Sequence, residues 1–172
     1  MNTTIYASTS GEGPGVLLLH GLFGQGSNLR GIARALEAEF RVHCLDLPDH
    51  GRSVWLEEAS LADYAQAIMR WMSESGIASA HVVGHSLGGK VAMQLALSHA
   101  SLVNRLVVAD IAPVAYVAQH ANVFEALQQV AEARCQSRQA AGEILAGLIE
   151  DPGVTGYLLM GLEMRAGTYD WR

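Results

Sequence analysis

Ser86 stands at the centre of Gly84-His85-Ser86-Leu87-Gly88, a G-x-S-x-G pentapeptide. An apolar run, Ala80-His81-Val82-Val83, leads into it, and a helix-forming run from Lys90 to Ala100 leads out. A serine on a sharp strand-to-helix turn presents its hydroxyl as a nucleophile. Such a turn needs small residues on either side, which Gly84 and Gly88 supply. The chemistry this suits is acyl transfer, in which Oγ attacks a carbonyl carbon and backbone N–H groups hold the oxyanion that forms. A second cluster, His20-Gly21-Leu22-Phe23-Gly24, follows the apolar run Val16-Leu17-Leu18-Leu19. Its glycines let the backbone turn and aim an N–H at the serine. Leu22 and Leu87 are therefore the expected oxyanion donors. His20, Phe23 and His85 belong to the loops that shape the oxyanion and substrate-binding site.

These residues need a frame that brings the ends of two strands together. Val16 to Leu19 is a continuous apolar run, as in a strand covered on both faces. Ser27 is placed to cap a helix bearing Leu29, Ile32, Ala33 and Leu36, and Phe40 to Leu47 reads as the next strand. Ser60 with Asp63 forms a capping box ahead of the stripe Leu61, Tyr64, Ala65, Ile68 and Met72, which Gly76 ends. Leu106-Val107-Val108-Ala109 reads as a further buried strand. The alternation predicts a parallel α/β sheet. From about Ile111 no strand run is evident, and three helical stretches follow. One carries Val123, Leu127 and Val130; one starts near Ser137 with Ala141, Ile144, Leu145 and Leu148. The last has Asp151 as N-cap and Pro152 at the first helical position. Residues 1–115 are expected to form the core and 116–172 a helical cap.

The 172 residues are 50% hydrophobic and 16% charged, which suits one globular domain with a well-buried core. A net charge of −6 without any basic run argues against nucleic-acid binding. Cys44 and Cys135 are far apart and read as reduced structural thiols, with no metal-ligand spacing. No leader precedes the first strand and no apolar run is long enough to span a bilayer, so the expected location is cytoplasmic and free of membrane. Gly11-Glu12-Gly13-Pro14-Gly15 precedes a strand rather than following one, which weakens a nucleotide-binding reading.

A third marker, Asp46-Leu47-Pro48-Asp49-His50-Gly51-Arg52-Ser53, closes a strand and reads as a structural turn. With His20–Gly24, Gly84–Lys90 and the Asp110-Ile111-Ala112-Pro113-Val114 segment, the chain resembles the α/β-hydrolase family, nearest to its small, cap-bearing YbfF-type esterases. The likeness runs from about Val16 to Tyr116 and more loosely beyond. It implies a three-layer core with a helical cap, hydrolysis of an ester or thioester by Ser86, and no cofactor. A serine rather than an aspartate at the turn argues against dehalogenase or epoxide-hydrolase chemistry.

In some members of such a family the catalytic acid follows the strand after the nucleophile helix, and Asp110 occupies that place. A carboxylate capping the following loop is the competing reading. The family's histidine lies after a last strand that is absent from these residues. Among the seven histidines here, His43 and His81 fall in strands, His50 in a turn, His99 at a helix end and His120 at the start of the cap. None is the expected base. The chain therefore reads as truncated before its last strands, with Leu106–Ala109 as an exposed apolar edge. Self-association or a complementing C-terminal segment would follow. The competing function is a non-catalytic remnant that binds a small ligand or a protein partner.

Overall fold

Val16, Leu17, Leu18 and Leu19 are each no more than 3% exposed, because their strand is the middle one of a sheet covered on both faces. The computed structural model describes residues 5–56, 59–116, 120–165 and 167–171. Strands Ala7–Ser10 (β1), Gly15–Leu19 (β2), Arg41–Leu45 (β3), Ala80–His85 (β4) and Val103–Ala109 (β5) form one sheet in the order β1-β3-β2-β4-β5. Helix Arg30–Leu36 (α1) lies on one face, where Ala33 packs with Val16, Leu18, Val42 and Cys44. Helices Leu61–Glu74 (α2) and Leu87–Ser98 (α3) lie on the other, packing Ile68, Met72, Val91 and Leu95 against Leu17, Leu19 and Leu45. Alternate residues of β2 thus serve opposite layers, which is why the run has no polar member. This is a three-layer αβα arrangement.

The chain leaves β2 toward β3 on one side and later returns to β4 on the other. Strand order reverses between β2 and β4, and the carboxyl ends of strands at such a reversal are the usual ligand position in these sheets. Both chemistry-bearing motifs lie there.

Several expectations need correction. The sheet is mixed: β2–β3, β2–β4 and β4–β5 are parallel, but β1 pairs antiparallel with β3. Ala7-Ser8-Thr9-Ser10 lacks an apolar run because an edge strand needs less burial. Ser27 caps no α-helix. It lies in a 3₁₀ turn, Gly26–Leu29, where Asp46 Oδ1 accepts from Gly26 N–H at 2.7 Å and tightens the chain. Ile32 points outward, 45% exposed. Strand β5 is not a buried strand but the exposed apolar edge also expected of it, with Leu106 and Val107 37% and 52% exposed. The capping box is formed as expected, with Ser60 N–H donating to Asp63 Oδ2 at 3.0 Å and Asp63 N–H to Ser60 Oγ at 3.2 Å. Both cysteines are free and buried.

The chain divides into two compact units, Met1–Pro113 and Val114–Arg172. Within the second, helices Ala121–Ala133 (α4), Arg138–Leu148 (α5) and Pro152–Met160 (α6) bury Val123, Ala126, Val130, Ala141, Leu145 and Leu158. Ser137 and Asp151 are side-chain N-caps. The unit is not purely helical. Leu162–Arg165 (β6) and Thr168–Trp171 (β7) form an antiparallel hairpin around Gly167, whose φ is +86°. Arg138 joins helix to hairpin by donating to the carbonyls of Leu159 at 2.6 Å and Leu162 at 2.7 Å, where a cation also meets the negative end of α6. Arg138→Met should therefore destabilise this unit by about 1–2 kcal/mol. Faster amide hydrogen exchange in α6 and β6 is the expected measurement, with α2 unchanged.

Candidate active site

Strand β4 runs to His85, and the next residue, Ser86, has a φ of +50° and a ψ of −114°, strained backbone for a non-glycine residue between strand and helix. Such strain persists only where surrounding contacts enforce it. Ser86 N–H donates to Ala109 O at 3.0 Å, and Lys90 N–H to Ser86 O at 3.1 Å. A Cβ on Gly84 would lie 2.3 Å from Gly88 O, so the two glycines touch backbone to backbone across the turn. Gly88 N–H donates to His20 O at 3.0 Å, tying the start of α3 to the loop after β2.

That loop is held by His20, which is 0% exposed. Its Nδ1 lies 2.8 Å from Gly21 O, and its Nε2 accepts from Leu47 N–H at 2.9 Å. An Nε2 that accepts leaves Nδ1 as the donor, so the ring is the neutral Nδ1–H tautomer with both nitrogens occupied. Burial is the main reason its pKa falls to about 3, with smaller contributions from His50 and His85. The His50 ring stands edge-on at 5.1 Å from it, with Nδ1 2.8 Å from Pro48 O. Gly24 N–H donates to Gly21 O at 3.0 Å and Phe23 has a φ of +62°, so the loop is a tight turn carrying Leu22 at its tip. As the first residue of α3, Leu87 presents an N–H that the helix cannot satisfy. Among the described residues neither Leu22 N–H nor Leu87 N–H has an acceptor.

Asp46 is a structural carboxylate. Its two oxygens accept from the N–H groups of Gly26 at 2.7 Å and Arg52 at 2.9 Å, while Ser53 Oγ donates to its carbonyl at 2.6 Å. The whole Asp46–Ser53 segment is thereby fastened to the neighbouring loop. Asp49 extends the fastening to α2, accepting from Tyr64 Oη at 2.7 Å and Leu56 N–H at 2.6 Å. Burial and that carboxylate push the Tyr64 pKa up. Nothing in the local sequence separates Asp49 from any other turn aspartate.

Asp110 follows β5 with a φ of +59°. The register sets His85 opposite Ala109, so Ser86 and Asp110 leave adjacent strands side by side. His85 Nε2 lies 3.5 Å from Asp110 Oδ2. Sequence reading missed this pairing because it depends on two side chains that meet only when β4 and β5 align. His43 faces Thr9 Oγ1 at 2.9 Å, away from Ser86's turn. Among the described residues no group of three or more His, Cys, Asp or Glu could hold a metal, and no helix is long and apolar enough to cross a membrane.

A mostly parallel αβα sheet with a serine on a strained strand-to-helix turn defines the α/β-hydrolase architecture. The family model for the alpha/beta hydrolase fold matches residues 14–140, and the chain belongs to that family. An sn-1-specific diacylglycerol lipase of Mus musculus is 34% identical over 167 residues, spanning 92% of this chain and 54% of that protein. Esterase YbfF of Escherichia coli is 34% identical over 145 residues, spanning 84% of this chain and 57% of that protein. A solved structure described as a marine microorganism esterase superposes with a TM-score of 0.93 at 30% identity, over 99% of this chain and 68% of that one. The resemblance drawn from the motifs is thus correct. The chain spans about half the length of the curated relatives it matches.

Proposed function

We propose that this chain carries the nucleophile and acid of a serine hydrolase acting on carboxylic esters or acyl thioesters. Ser86 attacks the acyl carbonyl, the N–H groups of Leu22 and Leu87 hold the oxyanion, and Asp110 orients a histidine base. The observation that carries this reading is the strained backbone of Ser86 between β4 and α3, coupled by Gly88 N–H to the loop bearing Leu22. Phe23 and His85 border the substrate, and His20 keeps the oxyanion loop in shape. The base is a histidine from outside residues 1–172. His20 has both nitrogens occupied, and the His43 and His50 rings are engaged with Thr9 and Pro48. The proposal includes 116–172 as a lid, on the apolar makeup of its helices. The esterase and lipase names of the relatives support the ester or thioester class.

Without its base, a triad enzyme keeps only roughly 10³–10⁴-fold acceleration over water. Phosphonylation of a serine needs a base as turnover does, so the labelling test supplies imidazole in solution in place of the histidine. With imidazole present, a fluorophosphonate should label Ser86 in the wild-type chain, and Ser86→Ala should abolish labelling without changing the circular dichroism spectrum. Absence of label on a folded wild-type sample would reject the hydrolase reading and favour a ligand-binding remnant.

A further inference from the structure

The Asp110 carboxylate is 84% exposed, on strained backbone, at the end of the edge strand β5. Packing alone does not hold such a side chain in one rotamer, yet a triad acid must present a fixed oxygen to its imidazole. Its side-chain partner among the described residues is His85, with Nε2 at 3.5 Å from Oδ2. The His85 side chain is 45% exposed but is bounded on one side by Gly21. A Cβ on Gly21 would lie 3.0 Å from His85 Nδ1, 3.3 Å from Cε1 and 3.3 Å from Ser86 Cβ. The ring thus packs closely on Gly21, where a Cβ would press it aside by a few tenths of an ångström, with Nε2 turned to Asp110. Pairing of β4 with β5 fixes its backbone opposite Ala109.

We propose that His85 is a positioning residue: it donates Nε2–H to Oδ2 of Asp110, fixes that side chain's rotamer, and leaves Oδ1 for the imidazole of the base. The role of Oδ1 rests on the serine-hydrolase reading; the rotamer claim does not. The 3.5 Å separation is longer than an ordinary hydrogen bond, as resting catalytic contacts often are before substrate tightens them. Gly21 thereby has a second use. It opens the turn toward Leu22 and seats the ring that steadies the acid.

The test is the Asp110 Hα–Hβ coupling pattern, read by NMR on the full chain. Wild type should show two unequal couplings, the mark of one dominant rotamer. His85→Leu, which keeps the volume but not the donor, should lose that inequality. His85→Gln, which keeps an N–H donor, should restore it. Averaged couplings in the wild type, or unequal ones retained in His85→Leu, would overturn the proposal. Should His85→Leu not fold, the His85 tautomer decides instead: Nε2–H in the wild type and mixed in Asp110→Ala is expected, and no change between them overturns it. Fluorophosphonate labelling of Ser86, with imidazole supplied as the base, is read alongside. Loss of labelling with the coupling pattern intact rejects the hydrolase reading alone; labelling with averaged couplings rejects the positioning role alone.

Discussion

Gly88→Ala should destabilise the protein by about 3 kcal/mol, although the same change in an ordinary helix would be favourable by up to about 1 kcal/mol. A Cβ at this position would sit 2.3 Å from Leu19 O and 2.6 Å from His20 O. Both are backbone atoms at the end of the central strand β2, and no rotamer change can move them aside. Relief would require α3 to back away from the sheet, breaking the 3.0 Å bond from Gly88 N–H to His20 O. The same shift would carry Leu87 away from the loop bearing Leu22, so function and stability should fall together. Gly31→Ala is the control. Its Cβ would meet nothing within 4 Å on α1, so a gain of about 0.5–1 kcal/mol is expected there. Urea unfolding of both variants measures the contrast. A Gly88→Ala loss under about 1 kcal/mol would mean that α3 adjusts freely and that the close approach is not required.

Acidification should unfold the protein through His20. In the folded state its pKa is lowered to about 3 by burial, whereas the unfolded chain has the ordinary value of 6.5. Between those values the unfolded state binds a proton that the folded state refuses. The contribution of the neutral ring is therefore fully present above pH 6.5 and is lost as pH falls toward 3. Each unit corresponds to about 1.4 kcal/mol, so about 2–3 kcal/mol disappears by pH 4.5 and roughly 4–5 kcal/mol near pH 3. His43 and His50 are lowered by burial too and add in the same direction. His20→Asn removes the titrating group. It should cost about 2–4 kcal/mol at pH 7.5, because Leu47 N–H loses its acceptor and a cavity opens, yet it should flatten the pH slope. Urea midpoints at pH 7.5, 6.0 and 4.5 report this. An equal slope in wild type and His20→Asn would locate the acid sensitivity elsewhere.

The legible elements were those whose signal is local. Val16–Leu19 announces a doubly covered strand by having no polar residue. Ser60 with Asp63, Ser137 and Asp151 announce helix starts because a cap bonds to backbone only two or three residues away. The pentapeptide around Ser86 is legible for the same reason: its glycines and its serine meet within one turn. Strand β1 was silent because Ala7–Ser10 takes its register entirely from β3. The β6–β7 hairpin left a weak trace, the alternation of Leu162 and Met164 with Tyr169 and Trp171 around Gly167. Apolar residues at helical spacing upstream of it pointed to helix throughout.

The sequence by itself determined that a serine would stand between two small residues on a strand-to-helix turn. These are contacts between near neighbours in the chain, and residue type alone enforces them. Tertiary structure decided what those residues are to one another. Pairing of β2 with β4 sets Gly88 against Leu19 and His20, and pairing of β4 with β5 sets His85 beside Asp110. Burial under the Asp46–Ser53 turn makes His20 a neutral pin rather than a base. A histidine's tautomer, a carboxylate's partner and the space a glycine must leave are properties of distant segments brought together, and no local pattern encodes them.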